Sequence, residues 1–218
     1  VPDFNNKELI EVIDWHIANS KFRHILIGGG SEQRSTEYIR IIEIIQYLRS
    51  KTDKPIYLMA LPPKNIEILS KYYNAGIDEI AFNIEIFDNS LRKKYISGKG
   101  SISLEIYKET LLKAVELWGN TGSVKSSILY GLESDTSFLL GIEWLASHGI
   151  QPIISVFRPL QDTEIKDRIA PGSSVLQKIF HEVLSLCHPY HLDPGPDCIY
   201  CQNNTLSLST DIFCGLHN

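Results

Sequence analysis

The stretch Ile25-Leu26-Ile27-Gly28-Gly29-Gly30-Ser31-Glu32 decides how the rest of the chain is to be read. Three β-preferring apolar residues describe a strand buried on both faces, and the glycines leave it along a path that a side chain would obstruct. Bare amides at Gly28, Gly29 and Gly30 can approach a ligand closely. The Ser31 hydroxyl and the Glu32 carboxylate can hydrogen-bond that ligand or pair with a cationic group on it. The same letters also describe a tight turn into the next helix, so the neighbouring segments have to decide between a turn and a ligand loop.

Working outward, apolar spacing predicts a helix over 7–19 before this strand and another from a Ser35 or Thr36 cap to about residue 50 after it. Strand 55–61 follows, then Pro62-Pro63, helix 64–75, a stop at Gly76 and strand 79–84. Further on come a short helix around 91–95, a longer one over 103–118, strand 124–130, a helix ending near Gly149 and strand 151–156. Five strands thus alternate with helices, which implies parallel strands with right-handed crossovers, in an open doubly wound sheet or a βα barrel. The unusual residues favour a partial barrel. Residues 28–32, 61–63, 83–85, 131–133 and 157–159 all fall at the carboxyl ends of successive strands, where such folds build their sites. Beyond Arg158 a polar connector leads to a helix over 173–187 and an irregular tail expected as a separate small module, giving units at 1–168 and 169–218.

Composition narrows the function. With 43% hydrophobic residues and 218 residues in all, the chain can bury one sizeable core, and no apolar run approaches the roughly 20 residues of a membrane span. Nothing resembles a signal peptide, so a soluble, cytoplasmic protein is expected. A net charge of -5 without Lys/Arg blocks argues against nucleic acid or an anionic membrane as partner and leaves a small molecule. A dinucleotide or Walker-type site is disfavoured, because Gly28-Gly29-Gly30 has neither the G-x-G-x-x-G spacing nor a Walker lysine.

At the strand ends, Asn83 and Glu85 share one side of an extended segment and suit vicinal hydroxyls such as those of a ribose. Arg92, with Lys93, could take a carboxylate, although Glu85 could equally pair with Arg92 as a structural link. Glu133 reads either as a ligand contact or as a cap of the helix that follows it. Arg158 stands at the mouth of the last strand, where it could bind an anionic group or pair with Glu133.

All four cysteines lie from residue 187 onward, which suits a local metal or cluster site better than scattered disulfides. Cys187, His191, Cys198 and Cys201 offer a C-x-x-C loop with a third thiol and an imidazole, fit for zinc or an auxiliary iron–sulfur cluster. Free thiols in a reducing compartment are the plainer alternative, and Cys214 reads as a bystander.

In order, Gly28 to Glu32, Asn83-Ile84-Glu85, Ile128 to Glu133 and Phe157-Arg158-Pro159-Leu160 resemble the radical S-adenosylmethionine (radical SAM) superfamily, nearest its biotin synthase and lipoyl synthase branch. The resemblance covers about residues 1–168. It implies a partial (βα)6 TIM-like barrel of parallel strands, here lacking its first strand, with a small cysteine-containing tail. It also implies S-adenosylmethionine and a four-iron four-sulfur cluster as cofactors, and a flavodoxin or ferredoxin as electron donor. On that basis Gly28, Gly29, Gly30, Ser31 and Glu32 would meet the methionyl amino group, Glu85 with Asn83 the ribose, and Arg92 the carboxylate. Ser127 and Leu129 would line the fifth strand of the family, and the backbone to Phe157 and Arg158 would hold the adenine. The family's C-x-x-x-C-x-x-C loop, whose thiolates hold the cluster, does not occur in these 218 residues, so its ligands are expected to lie outside them. Ser127 and Tyr130 also stand where the family often has glycine. A non-catalytic βα barrel with a zinc-stabilised interaction module is the alternative from another class.

Overall fold

The computed structural model describes residues 6–28, 37–196, 198, 201 and 205–207. Its helices are α1 (Asn6–Asn19), α2 (Glu37–Lys51), α3 (Ile68–Ala75), α4 (Asn89–Tyr95), α5 (Ser97–Gly100), α6 (Leu104–Trp118), α7 (Asp135–Ser147) and α8 (Ser173–Cys187). The strands are β1 (Ile25–Gly28), β2 (Ile56–Met59), β3 (Glu79–Ala81), β4 (Val124–Tyr130), β5 (Gln151–Val156) and β6 (Thr205–Leu206), in the spatial order of their numbers. The first five pair in parallel, with Leu58 opposite Ile80 and Ile128 opposite Ile154, and the sheet curls into a half-barrel. The expected α/β partial barrel is therefore observed.

Parallel order follows from the sequence rhythm. Each crossover carries a helix whose apolar stripe must be covered, and the outer face of the sheet covers it. Ile56, Leu58, Ile80, Ile128 and Ile154 on that face meet Leu69, Tyr107, Leu111, Phe138, Ile142 and Leu145 from the helices in one continuous core. Local chemistry sets the helix starts: Ser103 Oγ accepts from the Ile106 amide, Ser134 Oγ from Ser137, and Asp88 from Ser90 and Leu91. Gly76, at φ 101°, closes α3 in the left-handed conformation that glycine adopts without strain.

Three departures from expectation bear on the site. β1 is not buried on both faces: its burial alternates, with Ile25 and Ile27 packed on the helix-side core and Leu26, on the other face, 51% exposed to solvent among the described residues. β3 ends at Ala81 instead of running to residue 84. There the Ser126 hydroxyl enters the ladder, donating to the Phe82 carbonyl and accepting from the Ile84 amide, and parallel pairing resumes only at a bridge between Glu85 and Ile128. The tail returns to the sheet as β6, antiparallel to β5, with Ser155 opposite Thr205. Before it, α8 buries Ile179, Val183 and Cys187 in the same core as α7.

Candidate functional site

Side chains alternate along β4, so that Val124, Ile128 and Tyr130 enter the helix-side core while Lys125, Ser127 and Leu129 occupy the concave face. The parallel register sets Gly28, Met59 and Ala81 in one row across that face, with Lys125 and Gln151 continuing it, and Leu129 and Ser155 in a higher row. The concave face thus has two ends of different chemistry.

At the carboxyl end, Asn83 and Glu85 come together with Ser127. Asn83 Oδ1 accepts from the Ser127 amide at 3.1 Å, and the Ser127 and Ser155 hydroxyls meet at 2.9 Å. Glu85 is held on both sides, its amide donating to the Ser127 carbonyl at 2.8 Å and its carbonyl accepting from Leu129 at 2.7 Å. Its φ is 66°, a left-handed conformation that costs a non-glycine residue of order 1 kcal/mol and persists only where the surroundings enforce it. The carboxylate receives Lys99 Nζ at 2.5 Å, and both side chains stay partly open to solvent. Gly28 ends β1 in the row of Met59 and Ala81, with no atom of the described residues within 4 Å of the position a Cβ would take. Leu129 packs with buried Phe157, and Arg158 is exposed at the rim. Gly29, Gly30, Ser31 and Glu32 lie outside the described residues.

Arg92 has a different setting from the one expected. Its guanidinium is fully buried, donating to the carbonyls of Ile84, Ile86 and Ile102 and stacking 4.7 Å above the Tyr107 ring. Burial holds its pKa below the ordinary value, with Tyr107, Glu85 and Glu133 offsetting part of the cost. The cation beside Glu85 is Lys99, which sequence reasoning missed. Its signal is the run Ser97-Gly98-Lys99-Gly100: a Cβ at Gly100 would stand 2.6 Å from the Arg92 carbonyl, so only glycine lets α5 pack this close. Glu133 is also turned to the backbone. Its carboxylate accepts from the Phe87 and Asp88 amides at 2.9 and 2.8 Å and from the Ser137 hydroxyl at 2.6 Å, tying the turn after Glu85 to the first turn of α7.

Cys198 and Cys201 lie at the opposite, amino-terminal end. His24 immediately precedes β1, and its ring and the thiols of Cys198 and Cys201 place one donor each within 4.8 Å of one another, with His24 Nε2 3.4 Å from Cys201 Sγ. Glu79 and Lys125, near the starts of β3 and β4, are close by, and desolvation followed by Cys198 pushes the Cys201 thiol up to about 11. Of the expected set Cys187, His191, Cys198 and Cys201, the structure therefore brings together only the last two. Cys187 is packed in the core, where burial pushes its thiol up to about 12, and His191 is exposed in a left-handed turn after α8.

This architecture is the half-barrel of radical SAM enzymes, as the resemblance implied. Among solved structures, methylornithine synthase (PylB) superposes with a TM-score of 0.66 at 18% identity, over 86% of this chain and 54% of that one. Coproporphyrinogen III oxidase (HemN) from Escherichia coli, described as a radical SAM enzyme, gives 0.52 at 12% identity, over 86% and 57% respectively. In sequence the chain is 23% identical over 175 residues to bacteriochlorophyllide c C-7(1)-hydroxylase of Chlorobaculum limnaeum, covering 76% of this chain and 44% of that protein. The chain thus spans less than half the length of that curated relative, and no family model matches it.

Proposed function

We propose that this chain forms much of the catalytic core of a radical SAM enzyme and that the carboxyl end of its sheet holds the nucleoside part of S-adenosylmethionine. The observation that supports this reading most is Glu85. It carries its carboxylate on a left-handed backbone beyond the end of β3, its amide bonded to Ser127, which also meets Asn83 and Ser155, while Lys99 holds the carboxylate. A carboxylate can accept from both hydroxyls of a ribose, and among the described residues Lys99 is the partner it would exchange. In this reading Gly28 to Glu32 meet the methionyl amino group, and Leu129, Phe157 and Arg158 border the adenine. Lys99, in place of the Arg92 expected from the sequence, is the cation facing the ligand, while Arg92 secures the backbone around Glu85.

The cluster expected in this family does not fit the residues present. Cys198 and Cys201 are the chain's one C-x-x-C pair and lie at the other end of the sheet, so the three thiolates would come from outside these 218 residues. The substrate is proposed to be a small molecule, the electron donor a flavodoxin or ferredoxin, and the compartment the cytoplasm. No helix among the described residues is long and apolar enough to cross a membrane. The competing reading, a non-catalytic barrel, draws support from the Cys/His group at the amino end. Titrating the chain with S-adenosylhomocysteine separates the two. Saturable binding lost in Glu85→Ala supports the enzyme reading, and no binding by a folded chain counts against it.

A further inference from the structure

We infer that His24, Cys198 and Cys201 form a mononuclear transition-metal centre, with zinc as its expected ion, that clamps the two edges of the half-barrel together. This inference is independent of the radical SAM reading, because it concerns the opposite end of the sheet.

The first argument is convergence. The three donors come from segments 177 residues apart, one just before β1 and the other just before β6, yet all lie within 4.8 Å of one another. The second is spacing. A tetrahedral zinc with bonds of about 2.3 Å to sulfur and about 2.05 Å to nitrogen sets N and S about 3.6 Å apart and the two sulfurs about 3.8 Å apart. The observed 3.4 Å between His24 Nε2 and Cys201 Sγ matches the first of these. An iron–sulfur cluster interposes iron and sulfide between its thiolates and would hold the donors further apart. The third is donor chemistry. One imidazole and two thiolates form a borderline-soft set suited to zinc, and they supply three of its four positions. On binding, each thiol releases its proton to solvent as its sulfur–metal bond forms, and nothing is oxidised or reduced.

Placement gives the centre its task. β1 and β6 are the two edges of the sheet, and a half-barrel is by construction unclosed. Among the described residues, β6 contributes two residues of pairing to hold the tail. Supporting contacts guide the tail to the site: the Gln151 amide donates to the Gly195 carbonyl at 2.6 Å, and the Gly195 amide donates to the Pro152 carbonyl at 2.8 Å. A metal bridging His24 to Cys198 and Cys201 would then close a loop spanning 177 residues, with the stabilisation expected from constraining so long a loop.

The test uses the 218-residue chain, stripped of metal under reducing conditions and titrated with Co2+ and then Zn2+. One equivalent of Co2+ is expected to give the intense visible bands of a tetrahedral site and a sulfur-to-cobalt charge-transfer band in the near ultraviolet, both erased by Zn2+. At a hundredfold excess of Zn2+ over its dissociation constant, melting should rise by about 5–10 °C. His24→Ala, Cys198→Ser and Cys201→Ser should each weaken binding at least about a hundredfold. His24→Cys should restore it with a stronger charge-transfer band, and Cys187→Ser and His191→Ala should bind as the parent does. An octahedral spectrum without charge transfer, retention of binding in folded His24→Ala, loss of binding in a Cys187→Ser chain that is still folded, or iron with acid-labile sulfide at these residues would overturn the inference.

Discussion

Replacing Arg92 by Met separates a ligand contact from a scaffold contact at one residue. The guanidinium is fully buried and donates to three carbonyls, those of Ile84, Ile86 and Ile102, on segments flanking Glu85. Hydrogen bonds from a charged donor contribute about 1.5–3 kcal/mol each, so three amount to roughly 4.5–9 kcal/mol before the cost of burying the charge is set against them. Met fills a similar volume and removes that burial cost, but it leaves the carbonyls without their donor, and the net loss is about 3 kcal/mol. For a chain of this length that corresponds to a fall in melting temperature of roughly 6–12 °C, read by calorimetry or by far-ultraviolet circular dichroism. Below the new transition the folded variant should bind S-adenosylhomocysteine within a few-fold of the parent, while Lys99→Ala should melt like the parent and bind at least about tenfold more weakly. An Arg92→Met chain with unchanged stability and abolished binding would refute this reasoning and return the carboxylate-binding role to Arg92.

Other consequences follow from the same contacts. Glu133→Ala strands the Phe87 and Asp88 amides and the Ser137 hydroxyl, and should cost about 2–4 kcal/mol in denaturant unfolding. Gly100→Ala drives a methyl to 2.6 Å from the Arg92 carbonyl and should destabilise by about 1–3 kcal/mol, whereas Gly98→Ala meets nothing within 4 Å and should stay within about 1 kcal/mol of the parent. Glu85→Gly should be no less stable than the parent, because it relieves the left-handed backbone, yet should lose nucleoside binding. Burial raises the thiols of Cys187 and Cys201 from an ordinary 9.0 to about 12 and about 11, so the folded chain favours their protonated forms. Their contribution to stability is complete below pH 9 and is lost as pH rises through 11 to 12. Urea unfolding of the metal-free chain should therefore weaken across that window, and less steeply in Cys187→Ala.

The elements with strong periodicity were legible in the sequence. The α6 and α7 stripes and the apolar runs of β2, β4 and β5 carry their pattern within a few residues, so order and parallel pairing follow from alternation. What depended on distant partners was not legible. The β3 ladder breaks early because the Ser126 hydroxyl substitutes for backbone, and nothing around Phe82 announces a serine more than 40 residues away. β6 is two residues long and has no alternation to read.

At the site, the segment of Asn83 and Glu85 stood out because it follows an apolar run, and the place where such a run gives out is visible in sequence, although β3 itself stops at Ala81. The choice of cation could not be made, since whether Arg92 or Lys99 faces outward depends on how α4 and α5 fold back over Tyr107. The metal ligands divide in the same way. Cys198 and Cys201 announce themselves by spacing, but His24 is their neighbour only in three dimensions, and Cys187 is taken by the core because α8 packs on α7.

The role proposed for the carboxyl end of this half-barrel is S-adenosylmethionine chemistry. It is tested most directly on the protein encoded by the intact open reading frame, reconstituted anaerobically with iron and sulfide, reduced, and assayed for deoxyadenosine and methionine. An upstream C-x-x-x-C-x-x-C loop is expected, with equal formation of the two products that is abolished in Glu85→Ala folded as the parent. A full-length protein that lacks the loop and leaves S-adenosylmethionine intact would contradict it.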